Sequence, residues 1–251
     1  MKEFSEYKHG TKPSELLGRL KALSWLSLIQ LTGLASELNV VSFKRNQLVF
    51  NEVALSTGVN ILLSGVAKLS CLNAASARVT VALLAPGPVP EFPEQFASQW
   101  RIQCAAYSDC KVGSVSWERF NVITVNAQQD AFREFHQNNL KLWYRLLMRS
   151  SNYLGLGLRE RLRVALLELC SDFGVEESRG TLLRVSFSHQ DIAQLVGASR
   201  PRITEHLAQL EREHVVIRQG RQLIVRVDKI GNGIGVPSSI ESGLQKRLVA
   251  L

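Results

Sequence analysis

The 251-residue sequence has no glycine-rich phosphate loop, no HExxH metal-binding helix and no GxSxG nucleophile elbow. Those absences remove the common local signatures of nucleotide hydrolysis, metalloproteolysis and serine-esterase chemistry. Long hydrophobic runs are missing too. No uncharged stretch is longer than that between Lys21 and Glu37, which contains Ser24, Ser27, Gln30, Thr32 and Ser36. It is too short and too polar to span a bilayer. Residues 1–10 mix Lys2, Glu3, Glu6, Lys8 and His9 without an apolar centre, so no signal peptide is expected. The expected location is the cytoplasm, with no membrane partner. Only four cysteines occur, Cys71, Cys104, Cys110 and Cys170, and none forms a CxxC pair. They read as cytosolic thiols rather than a disulfide framework or a tetrathiolate metal site. No histidine lies between His9 and His136, so the β-rich part of the chain lacks the His and Glu cluster of a metal-dependent catalytic barrel. No catalytic and no metal-ligand residue is assigned.

What is present is a basic, globular composition: Lys+Arg 30 against Asp+Glu 22, a net charge of +8, and 45% hydrophobic residues. The length suits one large domain or two modest ones, at roughly 150 residues per domain. It is enough to bury a core without staples. The basic excess favours an anionic partner, nucleic acid or a membrane surface, and says nothing about fold.

Three patterns follow one another along the chain. Between residues 14 and 40, Leu16, Leu17, Leu20, Leu23, Leu26, Leu28, Leu31, Leu34 and Leu38 recur at helical spacing. This predicts one or two short helices with a break near Gly33. Residues 41–117 hold short β-rich runs (VSF, QLVF, VNILL, VAKLSCL, RVTVALL, RIQCAAY, CKVGSVSW) parted by turn residues. That rhythm predicts a barrel, sandwich or roll. Helical spacing returns over residues 127–153 without Pro or Gly. Phe132, Phe135, Leu140, Leu142, Trp143, Leu146 and Leu147 cover more than a narrow seam, which predicts contact with two surfaces, the chain's own barrel and a partner chain. Gly155 and Gly157 then suggest a hinge, and a further helix follows, ending near Gly174.

The most informative stretch is residues 185–227, VSFSHQDIAQLVGASRPRITEHLAQLEREHVVIRQGRQLIVRV. Ser188 followed by Asp191 has the capping-box spacing that starts a helix. Ile192, Ala193, Leu195 and Val196 form its inner face, and Gly197 suits the left-handed terminus. Ser199 can cap a second helix, about 199–211, whose inner side is Ile203, Leu207 and Leu210. Two short helices joined by a Gly-containing turn make a helix-turn-helix. A hairpin turning at Gln219 and Gly220 would then be a wing. Outward positions on the second helix include Arg200, Arg202, Thr204, Glu205 and His206, clustered at its amino-terminal half, where free backbone N–H groups suit phosphates. The wing adds Arg218, Arg221 and Arg226.

This order of parts resembles the CRP/FNR family of bacterial transcription regulators, most specifically in SHQDIAQLVGASRPRITEHLAQLE and more weakly in FKRNQLVFNEVALSTGVNILLSGVAKLS. The resemblance implies an α+β chain. An N-terminal double-stranded β-helix or jelly roll of the cNMP-binding type (1–126) is followed by a dimerisation helix and hinge (127–155), a winged helix (156–230) and a tail (231–251). It implies a homodimer on a palindromic double-stranded DNA operator, with RNA polymerase as a further partner. Base-reading positions then fall on Arg200, Pro201 and Glu205. Phosphate contacts fall on Ser188, Gln190, Ser199 and Arg202, with Arg218 and Arg221 from the wing. Dimer contacts fall on Phe132, Phe135, Leu142, Trp143 and Leu146. Arg200 keeps the family residue, whereas Pro201 stands for the usual Glu and Glu205 for the Arg of the cAMP receptor proteins, so a different target sequence is expected.

The effector segment departs from the family pattern. Residues 85–106, APGPVPEFPEQFASQWRIQCAA, have no Gly-Glu pair, and Trp100 and Arg101 stand where Arg-Ser/Ala is expected. A one-residue shift along a strand turns a side chain to the other face. Cyclic AMP is therefore disfavoured, and Glu91, Trp100 and Arg101 are retained as pocket candidates. No cysteine precedes Cys71, so no iron–sulfur cluster of the FNR type is expected. The alternatives are a regulator answering to a cyclic mono- or dinucleotide, a thiol switch between Cys104 and Cys110, and a winged helix that binds protein rather than DNA.

Overall fold

The computed structural model describes residues 12–20, 23–50, 58–90, 101–124 and 129–230, and of residues 129–136, 138 and 139 it describes the backbone alone. The chain forms two compact units, Lys2–Leu147 and Met148–Leu251.

In the first unit, α1 (Pro13–Gly18) and α2 (Leu28–Glu37) precede the strands β1 (Asn39–Phe43), β2 (Leu48–Phe50), β3 (Gly58–Ser64), β4 (Ala67–Leu72), β5 (Arg78–Leu84), β6 (Gly87–Pro88), β7 (Gln103–Ala106) and β8 (Cys110–Ser116). One antiparallel sheet orders β1-β8-β3-β6 and the other β2-β7-β4-β5. Phe50, Leu62, Leu69, Ala82, Ile102, Cys104 and Val112 meet between them in one buried cluster. This is the jelly-roll arrangement.

Strand β3 explains why VNILL reads as a continuous apolar run rather than an alternation. Leu62 joins the cluster between the sheets. Its neighbours Val59, Ile61 and Leu63 face the opposite way, onto Leu16, Leu17, Leu23 and Leu34 of the leading helices. A strand buried on both faces needs no polar alternate.

The leading helices differ from expectation in where they break. α2 runs through Gly33, and the interruption lies upstream, between Arg19 and Ser27. Ser27 forms a full capping box with Gln30, which sets the start of the helix; Gly33 has open space around it, with Ile123 3.8 Å from where a Cβ would stand. Likewise Trp117 does not end a strand but opens α3 (Trp117–Thr124).

The predicted turns are made as their residues require. Asn46 adopts φ 69, the left-handed region that Asn tolerates. The adjoining backbone is held by Asp109, which accepts from Arg45 N at 3.0 Å and from Lys44 Nζ at 2.7 Å. Gly65 has φ +82, and a Cβ there would stand 2.3 Å from the Asp109 carbonyl oxygen; only glycine fits this crossing.

Helix α4 (Gln129–Gly155) is continuous. Leu142, predicted at a dimer face, packs onto the cluster between the sheets, and Leu146 is half-buried. Leu140, Trp143, Tyr144, Leu147 and Leu154 are exposed. The Phe132 and Phe135 side chains lie outside the described residues, as do Glu91, Trp100 and residues 231–251. Among the described residues no helix is long and apolar enough to cross a membrane.

The second unit continues with α5 (Leu158–Phe173), β9 (Gly174–Glu177), β10 (Gly180–Leu183), α6 (His189–Val196), α7 (Arg200–Arg212), β11 (Val216–Gln219), β12 (Gln222–Val225) and α8 (Val227–Ile230). The strands form one antiparallel sheet, β11-β12-β10-β9. The β9–β10 hairpin, absent from the sequence expectation, extends the wing sheet. Leu162, Leu166, Phe173, Ile192, Ile203, Leu207, Ile224 and Ile230 are fully enclosed. They come from α5, both short helices, the wing and α8.

Candidate nucleic-acid interface

Helix α6 begins where Ser188 accepts a hydrogen bond from Asp191 N at 3.1 Å. It ends in a Schellman pair: Ala198 N bonds Ala193 O at 2.9 Å and Gly197 N bonds Gln194 O at 3.4 Å, with Gly197 left-handed at φ 63, ψ 50. Ser199 follows in the extended N-cap conformation, but its hydroxyl makes no cap bond to α7. Pro201 removes the second helical N–H, while that of Arg202, the third, remains; the Ser199 hydroxyl bonds neither.

Ile203, Leu207 and Leu210, at 0%, 0% and 1% exposure, anchor α7 to the core. Arg200, Pro201, Arg202, Thr204 and Glu205 are all exposed. The predicted base-reading residues thus share the open amino-terminal half of one helix, together with Arg202. Ser188, Gln190 and Ser199 are exposed at the adjoining helix starts. Arg221 is exposed at the wing tip, where Gly220 turns at φ 60. His206 faces differently: its Nδ1 is buried, so it is a packed histidine rather than an outward one.

Two features of this surface escaped sequence reading. His189 Nδ1 lies 2.8 Å from Thr204 Oγ1, and that hydroxyl donates to Arg200 O at 3.1 Å. Since the hydroxyl proton is committed to Arg200, His189 is assigned as the donor through Nδ1–H. The contact ties the start of α6 to the reading end of α7. Burial, then the nearby Arg218 and Arg200 guanidinium groups, hold the His189 pKa below its ordinary value. The second feature is an ion pair between Glu211 on α7 and Arg218 on the wing, 2.7 Å. Adjacent helix starts signalled the first; nothing local signalled the second.

Of the effector candidates only Arg101 lies among the described residues. Arg101 is exposed, with φ 44, and its carbonyl accepts from Arg78 at 3.4 Å. Cys104 and Cys110 are buried free thiols, pushed up by burial to about 12 and about 11, so neither is a thiolate near neutral pH. Among the described residues no group of three or more His, Cys, Asp or Glu could hold a metal ion.

Residues 160–230 match the family model described as a Crp-like helix-turn-helix domain. The chain is 27% identical over 195 residues to the global nitrogen regulator of Nostoc sp. (strain PCC 7120 / SAG 25.82 / UTEX 2576), covering 74% of this chain and 84% of that one. It is 25% identical over 216 residues to the CRP-like cAMP-activated global transcriptional regulator of Mycobacterium tuberculosis (strain CDC 1551 / Oshkosh), covering 84% and 94%. Residues 160–230 are thus a Crp-like helix-turn-helix domain, and the chain as a whole is similar to CRP/FNR-type regulators.

The fold agrees along most of its length. A CRP/FNR-family transcriptional regulator from Thermus thermophilus superposes with a TM-score of 0.55 at 20% identity, covering 76% of this chain and 96% of that one. By these similarities the chain is a CRP/FNR-type DNA-binding transcription regulator rather than an enzyme, with residues 160–230 as its Crp-like helix-turn-helix domain.

Proposed function

We propose that this CRP/FNR-type regulator acts in the cytoplasm as a homodimer that reads a palindromic operator, each α7 lying in a major groove. The carrying observation is the polarity of α7: Arg200, Pro201, Arg202 and Glu205 are exposed at its start while Ile203, Leu207 and Leu210 hold the other face in the core. Arg200 reads guanine O6 and N7 through its guanidinium fork. Pro201 and Glu205 set the neighbouring preference. Ser188, Gln190, Ser199, Arg202, Arg218 and Arg221 hold phosphates and fix register. The exposed Ser199 at this helix start, whose hydroxyl makes no cap bond, supports this reading.

The dimer is built along α4, whose Leu140, Trp143, Tyr144 and Leu147 are exposed; such a row rarely stays in water. Half-sites then lie about 34–36 Å apart, one turn of duplex. The domains are 1–126, 127–155, 156–230 and the tail 231–251, and RNA polymerase is the downstream partner. The effector, if one acts, is not cAMP. Residues 85–106 lack the Gly-Glu and Arg-Ser/Ala pairs, and Arg101 is exposed in the left-handed region.

Selection of bound sequences from random duplex DNA, with and without cyclic nucleotides, tests this directly. An enriched palindrome with two half-sites one turn apart is expected, alike with and without cAMP. No enrichment under any condition refutes the operator reading. A stable monomer in sedimentation that still footprints a palindrome refutes the dimer, and enrichment that requires cAMP refutes the exclusion of cAMP.

A further inference from the structure

The turn between α6 and α7 rests on an aromatic ring supplied from outside the motif. Tyr153, in the last turns of α4, donates its hydroxyl to Leu195 O at 3.0 Å. The Schellman pair already satisfies the Ala193 and Gln194 carbonyls. Leu195 is the next carbonyl in a helix end that leaves such groups without intrahelical donors, and Tyr153 supplies the donor. At the same place a Cβ on Gly197 would stand 2.6 Å from Tyr153 Cε1 and 3.2 Å from Cζ. The left-handed turn therefore lies directly against the ring, and glycine is needed there for two separate reasons, its positive φ and this approach.

The ring is itself held. Arg161 of α5 places its guanidinium carbon 5.2 Å from the ring centroid, within cation–π range. One turn earlier on the same face of α4, Arg149 donates from Nε at 3.0 Å and Nη2 at 2.6 Å to Oε2 of Glu168 on α5. Glu168 is 5% exposed, so this pair is locked rather than solvated. Positions four apart on one helix share a face, and here that face carries both clamps. The end of α4 is thus joined to α5 and α6 across Gly155 and Gly157.

We infer that Tyr153 is a positioning residue for DNA reading: its ring seats the α6–α7 turn and its hydroxyl fixes the end of α6, so that the reading end of α7 is placed from α4. The inference rests on α7 being the reader, as proposed above. Burial raises the Tyr153 pKa, so the hydroxyl stays protonated and the contact does not titrate near neutrality.

The test uses the full chain and anisotropy of two labelled duplexes, the selected operator and a random sequence, across a salt series. Tyr153→Phe keeps the ring and removes one donor. The variant is expected to retain the parent's circular dichroism, with a urea midpoint lowered by no more than the loss of one hydrogen bond. It should lose about 3- to 10-fold in operator affinity, the size of one hydrogen bond. Random-duplex affinity and the log–log salt slope should remain those of the parent, since no phosphate contact is removed. Amides 194–199 should exchange faster in the free protein. Equal losses on both duplexes that track a lowered midpoint would mean a merely structural role and overturn the inference; so would unchanged operator affinity. Arg200→Ala separates the two readings. Loss of operator preference in Arg200→Ala with none in Tyr153→Phe removes this inference alone, whereas no effect of Arg200→Ala removes the assignment of α7.

Discussion

Arg218 of the wing donates from both Nε, at 3.1 Å, and Nη2, at 2.7 Å, to a single carboxylate oxygen of Glu211 on the recognition helix. A residue proposed to hold a phosphate is therefore engaged within the protein. Both side chains are partly exposed, at 47% and 30%, and pairs of that kind contribute about 0–1 kcal/mol. A DNA phosphate can displace such a partner.

Glu211→Gln is thus expected to raise affinity for all duplexes alike, because the parent must first break this pair, while the log–log salt slope stays that of the parent. Titration at several salt concentrations checks it. Unaltered affinity would mean that Arg218 does not reach phosphate.

Arg200→Ala is expected to weaken operator binding by about 1–3 kcal/mol and to relax preference at one base pair of each half-site. Competition among single-substitution operators measures this. A uniform loss over all sequences would move Arg200 from base edge to backbone.

Glu168→Ala leaves the largely buried Arg149 guanidinium without its carboxylate. A cost of about 3–5 kcal/mol is expected, because removing one member of a buried ion pair is strongly destabilising. The double change Arg149→Met with Glu168→Leu should cost much less. Urea unfolding of the three variants decides it, and additive losses in the double variant would count against a buried pair.

The His189 pKa is lowered in the folded state, first by burial and then by Arg218 and Arg200. The unfolded chain then binds the proton more readily. Stability is retained above the unfolded value of about 6.5 and falls as pH drops from there towards the folded pKa. His189→Gln should flatten that part of the curve while Gln still donates to Thr204. Unfolding midpoints from neutral to mildly acidic pH test this, and an unchanged pH dependence would show that His189 is not the group responsible.

Much of the architecture was written locally. Ser188, Gly197 and Gly220 announce a cap, a left-handed terminus and a turn whatever surrounds them, and the structure uses each so. The buried triplet Ile203, Leu207 and Leu210 follows from helical spacing alone. Local rules failed where neighbours intervened. Ser199 is a good cap residue, yet its hydroxyl makes no bond to α7. Gly33 looked like a break, yet the Ser27 capping box and the apolar face of α2 carry the helix past it.

The sequence by itself determined the helix-turn-helix and wing, and which residues are open at the start of α7, because caps, turns and periodicity are properties of a few adjacent residues. Only the tertiary structure decided what those residues meet. Leu142 packs on its own barrel. Glu211 took Arg218, His189 took Thr204, and Tyr153 reached the Leu195 carbonyl 42 positions away. No spacing rule encodes such contacts. They arise when burial of the core brings distant elements together and each remaining polar group takes the partner within reach.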